Sequence, residues 1–285
     1  MTGRFAPSPT GPLHLGSMLA ATASYLDARA NHQSWLLRID DLDVPRNEPG
    51  AVDAIKIALD AHHLHWDGAV IYQSQRAERY QQALQSLTQL GLVFYCRCSR
   101  RQLKQHPIYP GTCRMQTRSI ADAAKRVQVK QALIDFDDRI QGAQHAALAE
   151  RTGDFVVRRR DGLIAYQLAT AVDDGDAIID SVVRGSDLLD NTPRQIYLMQ
   201  LLGLTAPRYA HIPTLIRADG SKLSKQTSAA PINVREASAN LVRIFCWLGL
   251  SPPKQAERWT CRELVNWGTE HWQLANVPRQ TSITL

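Results

Sequence analysis

Three groups of side chains in this 285-residue sequence have types and spacings that could do chemistry. The first lies in the stretch Gly3 to Ser17, GRFAPSPTGPLHLGS. Its apolar opening reads as a short strand, and the prolines and glycines before His14 forbid regular helix through the turn. Small, helix-favouring residues then run from Ser17 to Ala30. Strand, loop and helix in this order leave a helix N-terminus pointing unpaired N–H groups at whatever occupies the loop, which suits an anion. His14 can donate to phosphate oxygens, and Gly16 removes a Cβ where a nucleotide could approach. The second group is Lys222-Leu223-Ser224-Lys225, two positive charges after a turn at Asp219-Gly220. The third is Cys96, Cys98 and Cys113.

Two thiolates one residue apart can face a single ion, and a tetrahedral site needs a fourth ligand. His106 and Tyr109 are the local candidates, and coordination chemistry alone favours His106, since imidazole is the commoner zinc ligand. Cys246 and Cys261 fall on apolar helical stretches and read as packing residues. His62 and His65 sit three apart, but no neighbouring cysteine or carboxylate completes a set, so they read as a helix end before the turn Trp66-Asp67-Gly68.

Ser34 to Ile39 reads as a second strand ending at Asp40-Asp41, and in an open α/β sheet ligands bind at such carboxyl ends. Helices are expected from Ala51 to His62, from Gln75 to Leu90 before Gly91, and from Thr192 to Leu202 before Gly203. Thr192-Pro193-Arg194-Gln195 reads as a capping box, as does Thr260-Cys261-Arg262-Glu263. A strand is expected from Ala177 to Arg184 and a last one from Tyr209 to Ile216. Residues 114–150 are weakly patterned. A helix from Asn233 to Leu248 follows the lysine loop.

The composition bounds the partners. Net charge is +6 and the pI is near 9.2. Residues 96–130 carry nine basic side chains against one acid, Asp122. Such a local excess suits a polyanion. No apolar run is long enough to span a membrane, and no signal region opens the chain, so a cytoplasmic protein is expected. Five cysteines, three of them clustered, read as metal before disulfide there.

His14-Leu15-Gly16-Ser17 and Lys222-Leu223-Ser224-Lys225-Gln226 resemble the two signatures of class I aminoacyl-tRNA synthetases, in the form used by the glutamyl and glutaminyl members. Each occurs once, in the right order, and the resemblance extends to about residue 230. It implies an α/β fold: a Rossmann-type catalytic domain (1–95 and 181–230), an inserted subdomain (96–180) with a zinc site, and a helical C-terminal segment (231–285). It implies activation of L-glutamate by ATP with Mg2+. Glutamate would be bound by Arg4, Phe5, Ala6, Pro7, Ser8, Asp40, Tyr166 and Arg184, and ATP by His14, Gly16, Ser17 and Lys225. Catalysis would fall to His14, Lys222 and Lys225. Asp40 matches a family position that is usually glutamate, one methylene longer.

The spacing of Cys96, Cys98, Tyr109 and Cys113 is similar to the zinc site of a short glutamyl paralogue that lacks an anticodon-binding domain. That likeness favours Tyr109 as fourth ligand, with His106 as the alternative. It also implies one structural Zn2+ per chain, a monomer, and tRNA(Asp) carrying queuosine as the acceptor. A minimal glutamyl-tRNA synthetase charging a tRNA 3′ end, or a non-catalytic tRNA-binding paralogue, are the competing readings.

Overall fold

The computed structural model describes residues 2–176, 179–221 and 230–285. The chain starts β1 (Thr2–Phe5), α1 (Leu15–Ala30), β2 (Ser34–Ile39), α2 (Ala51–Ala61), β3 (Ile71–Tyr72) and α3 (Ala77–Gln89). β1 and β2 pair in parallel, with Arg4 opposite Leu36, and β3 continues the sheet beyond β2. The crossover is α1, whose small residues Ala21, Ala23 and Ala28 are buried against the sheet with Trp35, Leu37 and Ile39.

A second, antiparallel sheet follows. It joins β4 (Val93–Cys96), β5 (Ala124–Val127) and, after a hairpin, β8 (Phe155–Arg158). The short helix α4 (Arg100–Leu103) lies between β4 and β5. The hairpin is β6 (Leu133–Asp138) and β7 (Gly142–Ala147), turning at Arg139 to Gln141 and followed by α5 (Leu148–Arg151). The weak pattern of residues 114–150 thus resolves into paired strands. Both strands of the hairpin keep several side chains exposed, so apolar alternation is faint.

The chain returns through α6 (Tyr166–Gly175) to β9 (Ser181–Gly185), α7 (Thr192–Leu202) and β10 (Arg208–Ile212). β9 and β10 complete a parallel sheet of order β10-β9-β1-β2-β3. Its strand order reverses between β9 and β1, where an open parallel sheet forms its ligand crevice. The expected strand from Ala177 begins at Ser181, with residues 177 and 178 outside the described residues.

The expected last strand divides at Pro213 into β10 and β11 (Thr214–Ile216). Two helices, α8 (Ala237–Trp247) and α9 (Cys261–His271), pack on α1, and Thr260 and Glu263 form the expected capping box. The chain ends in β12 (Ser282–Thr284), paired in parallel with β11. Cys246, expected in packing, is exposed, because α8 turns its Leu241, Ile244 and Phe245 face inward instead.

Candidate active site

The carboxyl ends of β1, β2, β9 and β10 and the start of α1 enclose a cavity of about 190 Å³. Arg4, Phe5, Ala6, His14, Gly16, Ser17, Asp40, Tyr166 and Arg184 line it. Residues read from opposite ends of the sequence therefore share one space. Pro7 and Ser8 are outside that lining; the Pro7 carbonyl accepts from the Asp40 N–H at 3.0 Å and so fixes the end of β2. Lys222 and Lys225 lie outside the described residues.

His14 differs from its expected role in one respect. The helix starts at Leu15, with His14 as its N-cap, and the Ser17 N–H donates to His14 Nδ1 at 3.3 Å. A ring nitrogen that accepts carries no proton, so in neutral His14 the proton sits on Nε2. The imidazole thus uses one donor of the helix end and offers another in its place.

The two arginines expected to grip a dicarboxylate are held differently. Arg4 donates through Nε and Nη2 to Asp174 at 3.1 and 2.9 Å. Asp174 also takes Arg38 Nη1 at 2.6 Å, and Arg38 in turn holds Asp40 at 2.7 and 3.3 Å. All four side chains are buried. Burial pushes the Asp174 carboxyl up, but the guanidinium charges of Arg4 and Arg38 outweigh it and hold the acid well below its usual range. For Asp40 burial wins over Arg38, aided by Asp173 and Asp174, and its pKa is raised to about 6. Asp173 extends the network to Gln73, Arg76 and Tyr80.

Arg184 is held by uncharged acceptors. Nη2 donates to Thr192 Oγ1 and Gln195 Oε1, both at 2.8 Å, and Nε donates to His211 Nε2 at 3.1 Å. With Nε2 accepting, the His211 proton lies on Nδ1, which faces Asp138 Oδ2 at 2.6 Å. Burial lowers the His211 pKa, and Arg184 adds to this against the pull of Asp138, so the ring stays neutral. Arg184 Nη1 is buried with no hydrogen-bond partner, and no carboxylate lies within ion-pair distance of Arg184 among the described residues. Thr192 and Gln195 were expected to cap α7. Thr192 is instead its first helical residue, and both side chains turn to Arg184.

The thiols converge away from this cavity. The Sγ atoms of Cys96, Cys98 and Cys113 lie within 4.8 Å of one another, Cys98 and Cys113 at 3.6 Å. Zinc–sulfur bonds near 2.3 Å in a tetrahedron place sulfurs roughly 3.8 Å apart, so the spacing fits a metal. Tyr109 is buried, and its oxygen accepts from the Cys113 N–H at 3.0 Å. His106 is exposed and outside the cluster. Burial and the neighbouring thiols push Cys98 up to about 11, a thiol that would need a cation beside it to ionise at neutral pH. These residues could hold a metal.

A family model described as "tRNA synthetases class I (E and Q), catalytic domain" matches residues 1–275. The chain belongs to this family. A relative from Pseudomonas fluorescens, a glutamyl-Q tRNA(Asp) synthetase, is 48% identical over 282 residues, covering 99% of this chain and 95% of its own. A protein of the same description from Thiobacillus denitrificans is 50% identical over 285 residues, covering 97% and 94%. The solved glutamate-tRNA synthetase of Elizabethkingia anophelis has a TM-score of 0.82 at 23% identity, over 100% of this chain and 68% of that one, a likeness of fold. The family's α/β catalytic fold, with its parallel sheet, is the fold described above.

Sequence reasoning missed Arg38, Asp138, Asp174 and His211. Signals were available for Asp174 and Arg38. Asp173-Asp174 interrupts the otherwise apolar helix α6, and Arg38 interrupts an apolar strand. Charged residues in such places are buried only when paired. Asp138 and His211 had no signal, since only the fold brings β6 to β10. No helix among the described residues is long and apolar enough to cross a membrane.

Proposed function

We propose that this protein activates L-glutamate with ATP and transfers it to queuosine in the anticodon of tRNA(Asp). One glutamate carboxylate oxygen attacks the α-phosphorus of ATP, pyrophosphate leaves, and glutamyl-adenylate forms. A queuosine hydroxyl then attacks the activated carbonyl; its oxygen–carbon bond forms, AMP departs, and the hydroxyl proton goes with the phosphate. Charge builds on phosphate oxygens in the first step, so fixed donors matter more than a base. His14 Nε2–H and the α1 N-terminus are the donors this reading assigns, together with Lys222, Lys225 and Mg2+.

The observation that carries the reading is the Arg184 guanidinium, buried, with no carboxylate within ion-pair distance among the described residues, and lining the cavity beside His14 and Gly16. A substrate carboxylate would supply the missing partner. Asp40 would meet the ammonium group and Tyr166 the substrate body. The names of the near full-length relatives support the choice of glutamate and of tRNA(Asp).

Cys96, Cys98, Cys113 and Tyr109 are the proposed ligands of one structural zinc. Metal analysis is expected to find about one zinc per chain, lost in Cys98→Ser; a metal-free, fully folded wild type removes that assignment. The activity test is glutamate-dependent ATP–pyrophosphate exchange, followed by labelled glutamate transfer to tRNA(Asp) with and without queuosine. Transfer only to the queuosine form is expected. Equal transfer to both forms, or an ester at the 3′ end, would overturn the acceptor.

A further inference from the structure

The turn between β6 and β7 leaves its own hairpin and enters the core of the parallel sheet. Ile140, at its centre, is buried in the same apolar cluster as Leu19, Ile212 and Leu215. Asp138 opens the turn. Its Oδ1 accepts from the N–H groups of Ile140, Gln141 and His211 at 3.1, 2.9 and 3.1 Å, and its Oδ2 faces His211 Nδ1 at 2.6 Å. The Arg139 N–H donates to the Tyr209 carbonyl at 2.9 Å, and Gln141 Nε2 donates to the His211 carbonyl at 2.8 Å. These bonds fasten the turn along β10.

The Arg139 side chain ties the turn to two further elements. Nη1 and Nη2 donate to the two carboxylate oxygens of Asp27, on α1, at 2.9 and 3.1 Å. Nη1 also donates to Ser181 Oγ, at the start of β9, at 3.0 Å, and that hydroxyl donates to Asp27 Oδ2 at 3.0 Å. Trp272 Nε1 donates to Asp27 Oδ1 at 3.4 Å. Asp27 is buried, and Arg139 is the cation within ion-pair distance of it among the described residues. A carboxylate is buried at such a place only when paired. One turn thus joins α1, β9 and β10. Of these, β9 carries Arg184 and β10 carries His211, which accepts from Arg184 Nε.

We propose that Arg139 and Asp27 are positioning residues for glutamate binding: by clamping the turn they hold Asp138 on His211, and so hold His211 Nε2 on the Arg184 guanidinium. The inference rests on the role given to Arg184 under Proposed function and adds what keeps its cradle in place. Neither Arg139 nor Asp27 lines the cavity, so their effect is geometric. Binding groups work when held to within about 0.5 Å of the productive arrangement. A slip of the turn by about 1 Å would stretch the 2.6 Å contact between Asp138 and His211 beyond hydrogen-bonding length. The imidazole would then be free to rotate away from Arg184.

The test uses full-length Arg139→Met and Asp27→Asn, with thermal unfolding as a check on folding. Met keeps the bulk of the arginine stem without its charge. Asn keeps the shape of the acid but turns an amide N–H toward the donors around it. In each, KM for glutamate in pyrophosphate exchange should rise about fivefold, while kcat and KM for ATP stay within about twofold. Adding Asp138→Asn to Arg139→Met should raise KM for glutamate no further than Asp138→Asn alone, since both act through one contact. Rises that multiply, an unchanged KM for glutamate, or a KM for ATP that climbs in step would overturn the proposal. A second readout needs no substrate. The His211 Nδ1–H proton, followed by NMR in protein carrying isotope-labelled histidine, should exchange with solvent at least about tenfold faster in Arg139→Met. An unchanged exchange rate would overturn the clamp. If that proton behaves as expected but wild type shows no glutamate-dependent exchange, the functional reading fails and the clamp on His211 stands.

Discussion

Arg4 and Arg184 border the same cavity, yet their surroundings are opposite in kind. Arg4 is locked to a buried carboxylate, Asp174, which also holds Arg38 and through it Asp40. Arg184 rests in a cradle of neutral acceptors: a hydroxyl, an amide and an imidazole. One guanidinium is neutralised before any substrate arrives, and the other keeps its charge. On the proposed reading, the Arg4 side would be scaffold as much as binding surface, and the Arg184 side would be preorganised for an incoming anion. A site built from two equally exposed arginines would bind carboxylates in either orientation. On the proposed reading, this asymmetry would give a dicarboxylate substrate a direction.

The largest expected effect separates stability from binding. Arg4→Ala strips a cation from the buried Asp174 and should cost about 3–5 kcal/mol of stability. Arg184→Ala should leave the unfolding temperature within a few degrees, yet lower kcat/KM for glutamate in pyrophosphate exchange by about 100-fold or more. Arg184→Lys should recover little, since one ammonium cannot meet three acceptors set for a planar fork. Finding the stability loss at Arg184 rather than Arg4 would reverse the assignment.

A smaller effect sharpens the cradle. Asp138→Asn can offer its amide N–H to His211 Nδ1, which moves the ring proton to Nε2 and turns it against Arg184 Nε–H. KM for glutamate should rise about tenfold while kcat for exchange changes little. A fall in kcat alone would detach Asp138 from Arg184.

The smallest effect is one of pH. Asp40 ionises near 6 in the folded protein, raised by burial above its unfolded value. The acid form is thus favoured by folding, so this group's contribution to stability is present at low pH and is lost as pH rises through about 6. For binding the sign is opposite. Below pH 6 a neutral Asp40 loses its hold on the ammonium group, and KM for glutamate should climb. Asp40→Asn should flatten that climb; a climb that survives it belongs to another group.

The sequence made the parallel sheet legible where patterning was clean. β2 runs from Ser34 to Ile39 as its composition suggested, and the cavity gathers Arg4, His14, Asp40, Tyr166 and Arg184 as the signatures implied. Local chemistry misled where a side chain had two possible partners. Ser17 resembles a helix start, but His14 does the capping. Thr192 and Gln195 have capping-box spacing, but a buried guanidinium outcompetes a backbone N–H for their oxygens. The Asp138–His211 contact was out of reach, because 73 residues separate its partners.

The short strand β12 has a practical side. Its parallel pairing with β11 lays Ser282–Thr284 alongside Thr214 and Leu215, which themselves line the candidate cavity. The Thr281 carbonyl further accepts from the Ser186 hydroxyl, at the start of the turn Ser186–Asn191. Cutting the chain after Arg279 would therefore strip β11 of its partner strand along one wall of the candidate cavity.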